Sequence, residues 1–303
     1  MVKRTTRLRE LLNRPGALVV PGVYDALSAR ICEMAGFEAV FHSGYGTAAA
    51  VLGLPDIGLL TLTEMAAQVK AISRSVRIPV FGDSDNGFGN AVNACRTVEE
   101  YLAAGAAGLF MEDQISPKRC GHMEGKQVIS AEEMMGKLRA ALDTRNGLDP
   151  DFVVMYRTDA LHVTGFEDAL ARAKAAVDVG VDMVFIEALE TREQMERAVR
   201  EIPVPLMLNL IEGGKTPLIP VEEAEAMGIK LIVPALSALY SAARGMYDVL
   251  SRIRKEGVSD RYRDKLFTFG EFGDLVRFAE IREKEEKYLP PSVLQEKYGC
   301  GRK

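Results

Sequence analysis

The chain has no tryptophan, three histidines and four cysteines across 303 residues, and each scarcity narrows what it can be. Cys32, Cys95, Cys120 and Cys300 include no CxxC pair, so neither a structural zinc site nor a disulfide framework is indicated. No apolar run is long enough to span a bilayer, and the basic N-terminus, Met1 to Glu10, lacks the apolar stretch of a signal peptide. A net charge of -5, with basic residues scattered along the chain, leaves no footprint for nucleic acid or an anionic membrane. The expectation is a cytoplasmic protein whose partner is a small molecule.

Short apolar, β-rich runs recur with helical patterns between them, the signature of βα units and a parallel sheet. Eight are present: Ala17 to Pro21, Ala39 to Ser43, Ile78 to Asp83, Ala107 to Glu112, Phe152 to Arg157, Met183 to Glu187, Pro205 to Asn209 and Lys230 to Pro234. Eight such units close a barrel. Between them, Leu62, Met65, Ala66 and Val69 share one helical face, as do Ala169, Ala173, Ala176 and Val177. The sequence therefore predicts an α/β chain folded as a (β/α)8 TIM barrel over residues 1–250. Helical patterns from Ala238 to Lys255 and from Phe278 to Lys287 predict a C-terminal helical extension, 251–303, partly too apolar for a free tail. Pro290-Pro291 and Gly299-Cys300-Gly301 suggest that its last residues fray.

Side chains capable of chemistry fall at the strand ends. Ser43, Asp83 with Asp85, Glu112, Arg157 with Asp159, Glu187 and Asn209 close successive runs, and a barrel of parallel strands opens all these ends onto one face. Polar residues also mark ordinary exits into solvent, which explains any one of them better than six in succession. Asp83 and Asp85 are spaced so that a turning chain aims both at one cation, and Glu112 and Asp113 can add direct or water-mediated ligation. Hard oxygen donors of this kind favour Mg2+, with Mn2+ as the alternative. Aspartate and glycine are also ordinary turn formers, and Asp56 alone reads as a turn aspartate. Pro117-Lys118-Arg119-Cys120-Gly121-His122 sets a thiol between cations and ahead of a histidine, groups that can stabilise a thiolate. The bland alternative is a loop cysteine beside a solvated basic run.

Pro21-Gly22-Val23-Tyr24-Asp25, Ser43-Gly44, Leu54-Pro55-Asp56, Asp83 to Gly89, Glu112-Asp113-Gln114, Lys118 to His122, Arg157-Thr158-Asp159-Ala160 and Asn209 to Pro217 occur in that order. Together they resemble the isocitrate lyase and phosphoenolpyruvate mutase superfamily, in its short lyase branch of methylisocitrate and dimethylmalate lyases. The resemblance implies a β/α barrel with a C-terminal helix exchanged between subunits, a homotetramer built as a dimer of dimers, and magnesium dependence. It implies a metal site of Asp83, Asp85 and Glu112, with Asp56 near the metal through water. Cys120 matches the lyase thiol on a mobile loop, where Lys118 and His122 tune its charge, and Arg157 and Glu187 complete the catalytic group. Ser43, Gly44, Tyr45, Asp56, Gly121, Arg157, Asn209, Thr216 and Pro234 are implied to bind substrate. The loop Ile115 to Gly125 is expected to order over bound ligand.

The mutase branch generally lacks the Cys-Gly-His loop, so its presence points to carbon-carbon cleavage. In that reaction a hydroxyl proton is removed, the bond to the carbon alpha to a carboxylate breaks, and an acid protonates the carbanionic carbon. Cys120 is the candidate acid. The tricarboxylate lyases commonly carry an arginine shortly after the eighth-strand proline, whereas Pro234 here is followed by Ala235 to Tyr240 and no arginine appears until Arg244. The implied substrate is a 2-hydroxy dicarboxylate such as 2,3-dimethylmalate, cleaved to pyruvate and propionate. Methylisocitrate cleavage to pyruvate and succinate, oxaloacetate hydrolysis to oxalate and acetate, and a catalytically silent ligand-binding barrel are the alternatives.

Overall fold

The computed structural model describes residues 2–299, so the fraying expected at Cys300 and Gly301 lies outside the described residues. Nine strands run along it: β1 (Leu18–Val19), β2 (Gly22–Val23), β3 (Val40–His42), β4 (Val80–Asp83), β5 (Gly108–Glu112), β6 (Val153–Thr158), β7 (Met183–Ile186), β8 (Leu206–Leu210) and β9 (Leu231–Pro234). Every pairing is parallel, in the order β1-β9-β8-β7-β6-β5-β4-β3-β2. The ends of that order, β1 and β2, are separated only by Val20 and Pro21, which themselves continue the ladder. Val20 N–H donates to Ile232 O and Phe41 N–H donates to Pro21 O, both at 2.9 Å. The sheet thus curls until its two edges meet in one stretch of chain, which gives a TIM-barrel-like α/β fold.

One strand was expected at the start of the barrel, and two short ones are found. Pro21 has no N–H to offer the ladder, and at that point the chain leaves β9 for β3. The helical faces are as expected: Met65, Ala66, Val69, Ala169, Ala173 and Ala176 are buried in the layer between strands and helices.

Inside the barrel, Phe41 stacks on Phe81 and Phe110 at 6.1 and 5.7 Å, and Phe110 meets Phe185 edge-on at 6.1 Å. The opposite end of the barrel is sealed by the helix Arg4–Asn13. Its Leu8 and Leu11 join the interior cluster, and Arg9 donates to the Asp151 carbonyl (2.8 Å) and to Asp182 Oδ1 (2.9 Å) in the loops that enter β6 and β7. In sequence this segment is merely basic. Two leucines three residues apart are too few to signal a plug, and the barrel supplies the rest of the apolar surface.

The chain divides into two compact units, one running to Ala242 and the other beginning at Ala243. The division falls inside the helix Ser237–Glu256, a little before the expected boundary at 250. In the second unit Met246, Tyr247, Leu250, Phe269 and Phe278 are exposed. No helix among the described residues is long and apolar enough to cross a membrane.

Candidate active site

At the end of β4 the chain turns so sharply that Asp85 adopts φ +47°, in the left-handed region that L side chains avoid. Two bonds hold it there. Asp85 N–H donates to Asp83 Oδ1 (3.0 Å), and its carbonyl accepts from Glu112 N–H (2.9 Å), tying the turn to β5. Asp83 Oδ2 accepts from Gly44 N–H at 3.0 Å. A Cβ at Gly44 would sit 2.7 Å from that oxygen, so the approach requires glycine. The Gly44 amide, expected to hold substrate, is thereby committed to orienting Asp83.

Between β5 and the next helix, the chain forms a lid whose base is pinned by Ile115 N–H to Gln127 O (2.9 Å) and Ile129 N–H to Asp113 O (2.8 Å). The lid folds inward. Lys118 Nζ reaches Asp56 Oδ1 at 2.7 Å and Asp85 Oδ1 at 2.6 Å, with a side chain only 5% exposed. Burial disfavours its charge, but Asp85, Asp56, Asp83 and Glu112 outweigh burial and hold the ammonium well above its ordinary pKa. Lys118 is therefore engaged with carboxylates, and the role expected for it, tuning Cys120, is not what its contacts serve.

Burial pushes the Cys120 thiol up to about 11, against a smaller opposing pull from the His122 backbone N–H. The flanking cations therefore do not create a thiolate; Cys120 is a protonated thiol at neutral pH, the form a proton donor needs. Its own N–H donates to Asp56 O at 3.0 Å. His122 also faces away from the sulfur: Nδ1 accepts from Lys215 N–H (3.0 Å), and Nε2 lies 3.2 Å from Glu187 Oε1.

Arg157, at the end of β6, sits among three buried carboxylates. Nε is 3.0 Å from Asp159 Oδ2 and 3.1 Å from Glu112 Oε2, and Nη2 is 3.0 Å from Glu187 Oε2. Its guanidinium also lies over the Phe110 and Phe185 rings, 5.4 and 5.3 Å from their centroids. Although burial alone would raise Glu187, Arg157 and His122 bring it down to about 2. Glu112 goes the other way, held well above the carboxylate range because burial outweighs Arg157. Gly121 of the lid closes onto this group, where a Cβ would stand 2.3 Å from Glu187 Cγ and 2.6 Å from Arg157 Nη2.

Asp113 does not join the metal-site carboxylates as expected. It is adjacent to Glu112 at the strand end and so points to the opposite face of the sheet. Its carboxylate accepts from Tyr156 OH (2.7 Å), Thr158 Oγ1 (2.8 Å) and Asp159 N–H (2.9 Å), bracing the end of β6 from behind. Strand alternation was the available signal: Tyr156 and Thr158 face outward because Arg157 and Asp159 face inward.

Beneath the lid is a cavity of about 40 Å³. Ser43, Tyr45, Asp56, Asp83, Cys120, Gly121, His122, Arg157, Glu187 and Asn209 all line it, as the sequence suggested. Asp85 and Lys118 instead face a neighbouring cavity of about 410 Å³. Thr216 is buried without lining the small cavity, and Ala235 and Leu236 stand at its wall where Pro234 was expected. Phe41, Phe110 and Phe185 also form part of the wall.

Among the described residues, no three His, Cys, Asp or Glu side chains already stand in a metal-holding arrangement. The donor set nevertheless fits a hard, partly hydrated cation. Asp83, Asp85 and Asp56 supply carboxylate oxygens, the last two now paired with Lys118, and of the buried Glu112 oxygens Oε2 meets Arg157 while Oε1 has no partner.

The fold and this site define an α/β-barrel enzyme of oxo-acid chemistry. Residues 8–254 match the Phosphoenolpyruvate phosphomutase family, and the chain belongs to the phosphoenolpyruvate mutase and isocitrate lyase superfamily, in its lyase branch. It is 44% identical to 2,3-dimethylmalate lyase of Eubacterium barkeri, over 93% of this chain and 97% of that one. It is 40% identical to 2-methylisocitrate lyase of Aeropyrum pernix, over 93% and 92%. Among solved structures, oxaloacetate acetylhydrolase with 3,3-difluorooxalacetate superimposes with TM-score 0.90 at 37% identity, covering 94% of this chain and 97% of that one. Phosphonopyruvate hydrolase, solved with oxalate and Mg++, superimposes with TM-score 0.86 at 29% identity, covering 95% and 100%.

Proposed function

We propose that this enzyme cleaves a substituted malate, of the 2,3-dimethylmalate type, to pyruvate and a short carboxylate, with Mg2+ as cofactor. The observation that carries this reading is the half-buried thiol of Cys120, protonated at neutral pH, on a small cavity that Asp83 and Arg157 also line. Asp83, Asp85 and Glu112, with Asp56 nearby, would hold the cation, which when bound supplies charge to stabilise an alkoxide beside a carboxylate. Arg157 meets the developing charge on the departing carboxylate fragment, and Glu187 keeps His122 in place under the lid. Asp56, on the same cavity, takes the substrate's hydroxyl proton as the carbon-carbon bond breaks. The Cys120 thiol gives its proton to the carbanionic carbon, while the closed lid excludes water that would otherwise compete. Chelation is expected to abolish turnover and Mg2+ to restore it; full turnover by rigorously metal-free protein would sink the cofactor assignment.

The choice of a dicarboxylate rests on the wall after β9. Ala235 and Leu236 are apolar there. Arg244, the next cation along the chain, belongs to the second unit, is exposed, and pairs with Asp248 at 3.0 Å. A third substrate carboxylate facing Leu236 without a partner costs several kcal/mol, roughly a thousandfold in affinity. The kcat/KM for 2,3-dimethylmalate is accordingly expected to exceed that for methylisocitrate by about a thousandfold, and the reverse order would overturn the substrate choice. Oxaloacetate hydrolysis is the second reading, favoured by the likeness to oxaloacetate acetylhydrolase. Product identity separates them, since hydrolysis yields oxalate and acetate.

The exposed apolar residues of the second unit support assembly into a homotetramer, a dimer of dimers with exchanged helices, and the setting proposed is cytoplasmic. Sedimentation gives the test of assembly.

A further inference from the structure

Lys126 lies just past the lid segment that lines the cavity, and the chemistry above makes no use of it. Its side chain is nevertheless only 3% exposed. Its ammonium donates to the carbonyl of Gly121, the residue between Cys120 and His122. It also stands 3.5 Å from Asp159 Oδ1. Asp159 is the carboxylate that grips Arg157 twice, accepting from Nε at 3.0 Å and from Nη2 at 3.3 Å. A buried ammonium is tolerated only when partners compensate its lost hydration. Here the partners are one lid carbonyl and one carboxylate shared with the substrate anchor.

We propose that Lys126 is a positioning residue that couples the Arg157 anchor to closure of the lid. With the lid down, the ammonium ties the Gly121 peptide to Asp159, and so sets Cys120 and His122 at the cavity in register with Arg157. With the lid up, the Gly121 carbonyl is withdrawn and the ammonium keeps only Asp159. Lys118 separately ties the lid to Asp56 and Asp85, away from Arg157, whereas the Lys215–Glu124 pair at 3.1 Å is exposed on its acidic side and contributes little. The role in turnover rests on the lyase reading, whereas the lid measurement below does not.

The test compares full-length Lys126→Met, Lys126→Arg and Glu124→Gln with the parent by amide hydrogen exchange, together with kcat and KM. Lys126→Met is expected to speed exchange of the Gly121 to Met123 amides by about tenfold or more while β5 and β6 are unchanged. Its kcat should fall by a larger factor than its KM rises. Lys126→Arg, which keeps the charge, should restore much of the lost protection, and Glu124→Gln should stay within about twofold of the parent. Unchanged lid exchange in Lys126→Met overturns the proposal, as does acceleration spread equally over the barrel strands, which would mark a general packing role. Lost lid protection alongside a parent that turns over none of the candidate substrates would support the coupling and discard the lyase reading alone.

Discussion

Cys120→Ser is expected to bind metal and substrate yet lose turnover by about a hundredfold to ten-thousandfold, the range that a positioned general acid contributes. The serine hydroxyl is close in size and fits the same half-buried place, so binding should survive. Its pKa, however, is far too high for useful proton transfer to a carbanion. Calorimetric binding beside steady-state rates is the measurement, and near-parental turnover would remove Cys120 from the mechanism. The pH dependence has a definite sign. Burial raises the thiol from its usual 9.0 to about 11, so the acid form persists through the alkaline range and this group imposes no fall in cleavage rate below roughly pH 10. Its contribution to stability runs the other way at high pH. Neither state ionises below about 9; between about 9 and 11 the unfolded thiol loses its proton while the folded one keeps it, and stability declines over that window.

Arg157→Met should be the most damaging single change to the fold that this site permits. The guanidinium is shared by Glu112, Asp159 and Glu187, all buried, and its removal leaves Asp159 and Glu187 without their principal counter-charge. Breaking a buried ion pair from one side costs about 3–5 kcal/mol. For a chain of this size that corresponds to a melting temperature lower by roughly 5–8 °C, with activity lost as well. Replacing the carboxylates would be a different experiment, because the uncompensated charge would then be single. An unchanged melting temperature in Arg157→Met would show that Asp159 and Glu187 are held neutral or solvated, contrary to the packing described here.

How much of this was legible beforehand follows from the kind of signal each feature leaves. Strand ends announce themselves locally, through apolar runs that stop at a polar residue, and Ser43, Asp83, Arg157, Glu187 and Asn209 were found that way and do line one cavity. The helical faces were legible for the same reason, since a 3.6-residue period is written in the chain. The plug formed by Leu8 and Leu11 was not, because its partners come from strands spread over the whole barrel. The order of motifs also pointed to the superfamily, which the comparisons with known proteins bear out.

What only the tertiary structure decided is the direction and partnership of the charges. In sequence, Lys118 and His122 flank Cys120 and should act on it. In space, one faces Asp56 and Asp85 while the other faces Glu187, and the thiol is left protonated by burial. Glu112 and Asp113 are neighbours in the chain but lie on opposite faces of a strand, one facing Arg157 and the other tied to Tyr156 and Thr158. Lys126 met Asp159 across thirty-three positions of sequence, 159 − 126, with no local pattern to announce it. By itself the sequence determined the residue types and their period along the chain, and with them the barrel and the face on which the chemistry sits. Coulombic and desolvation energies depend on distance and burial, so which charge compensates which, and which proton stays on, was settled only when the chain closed on itself.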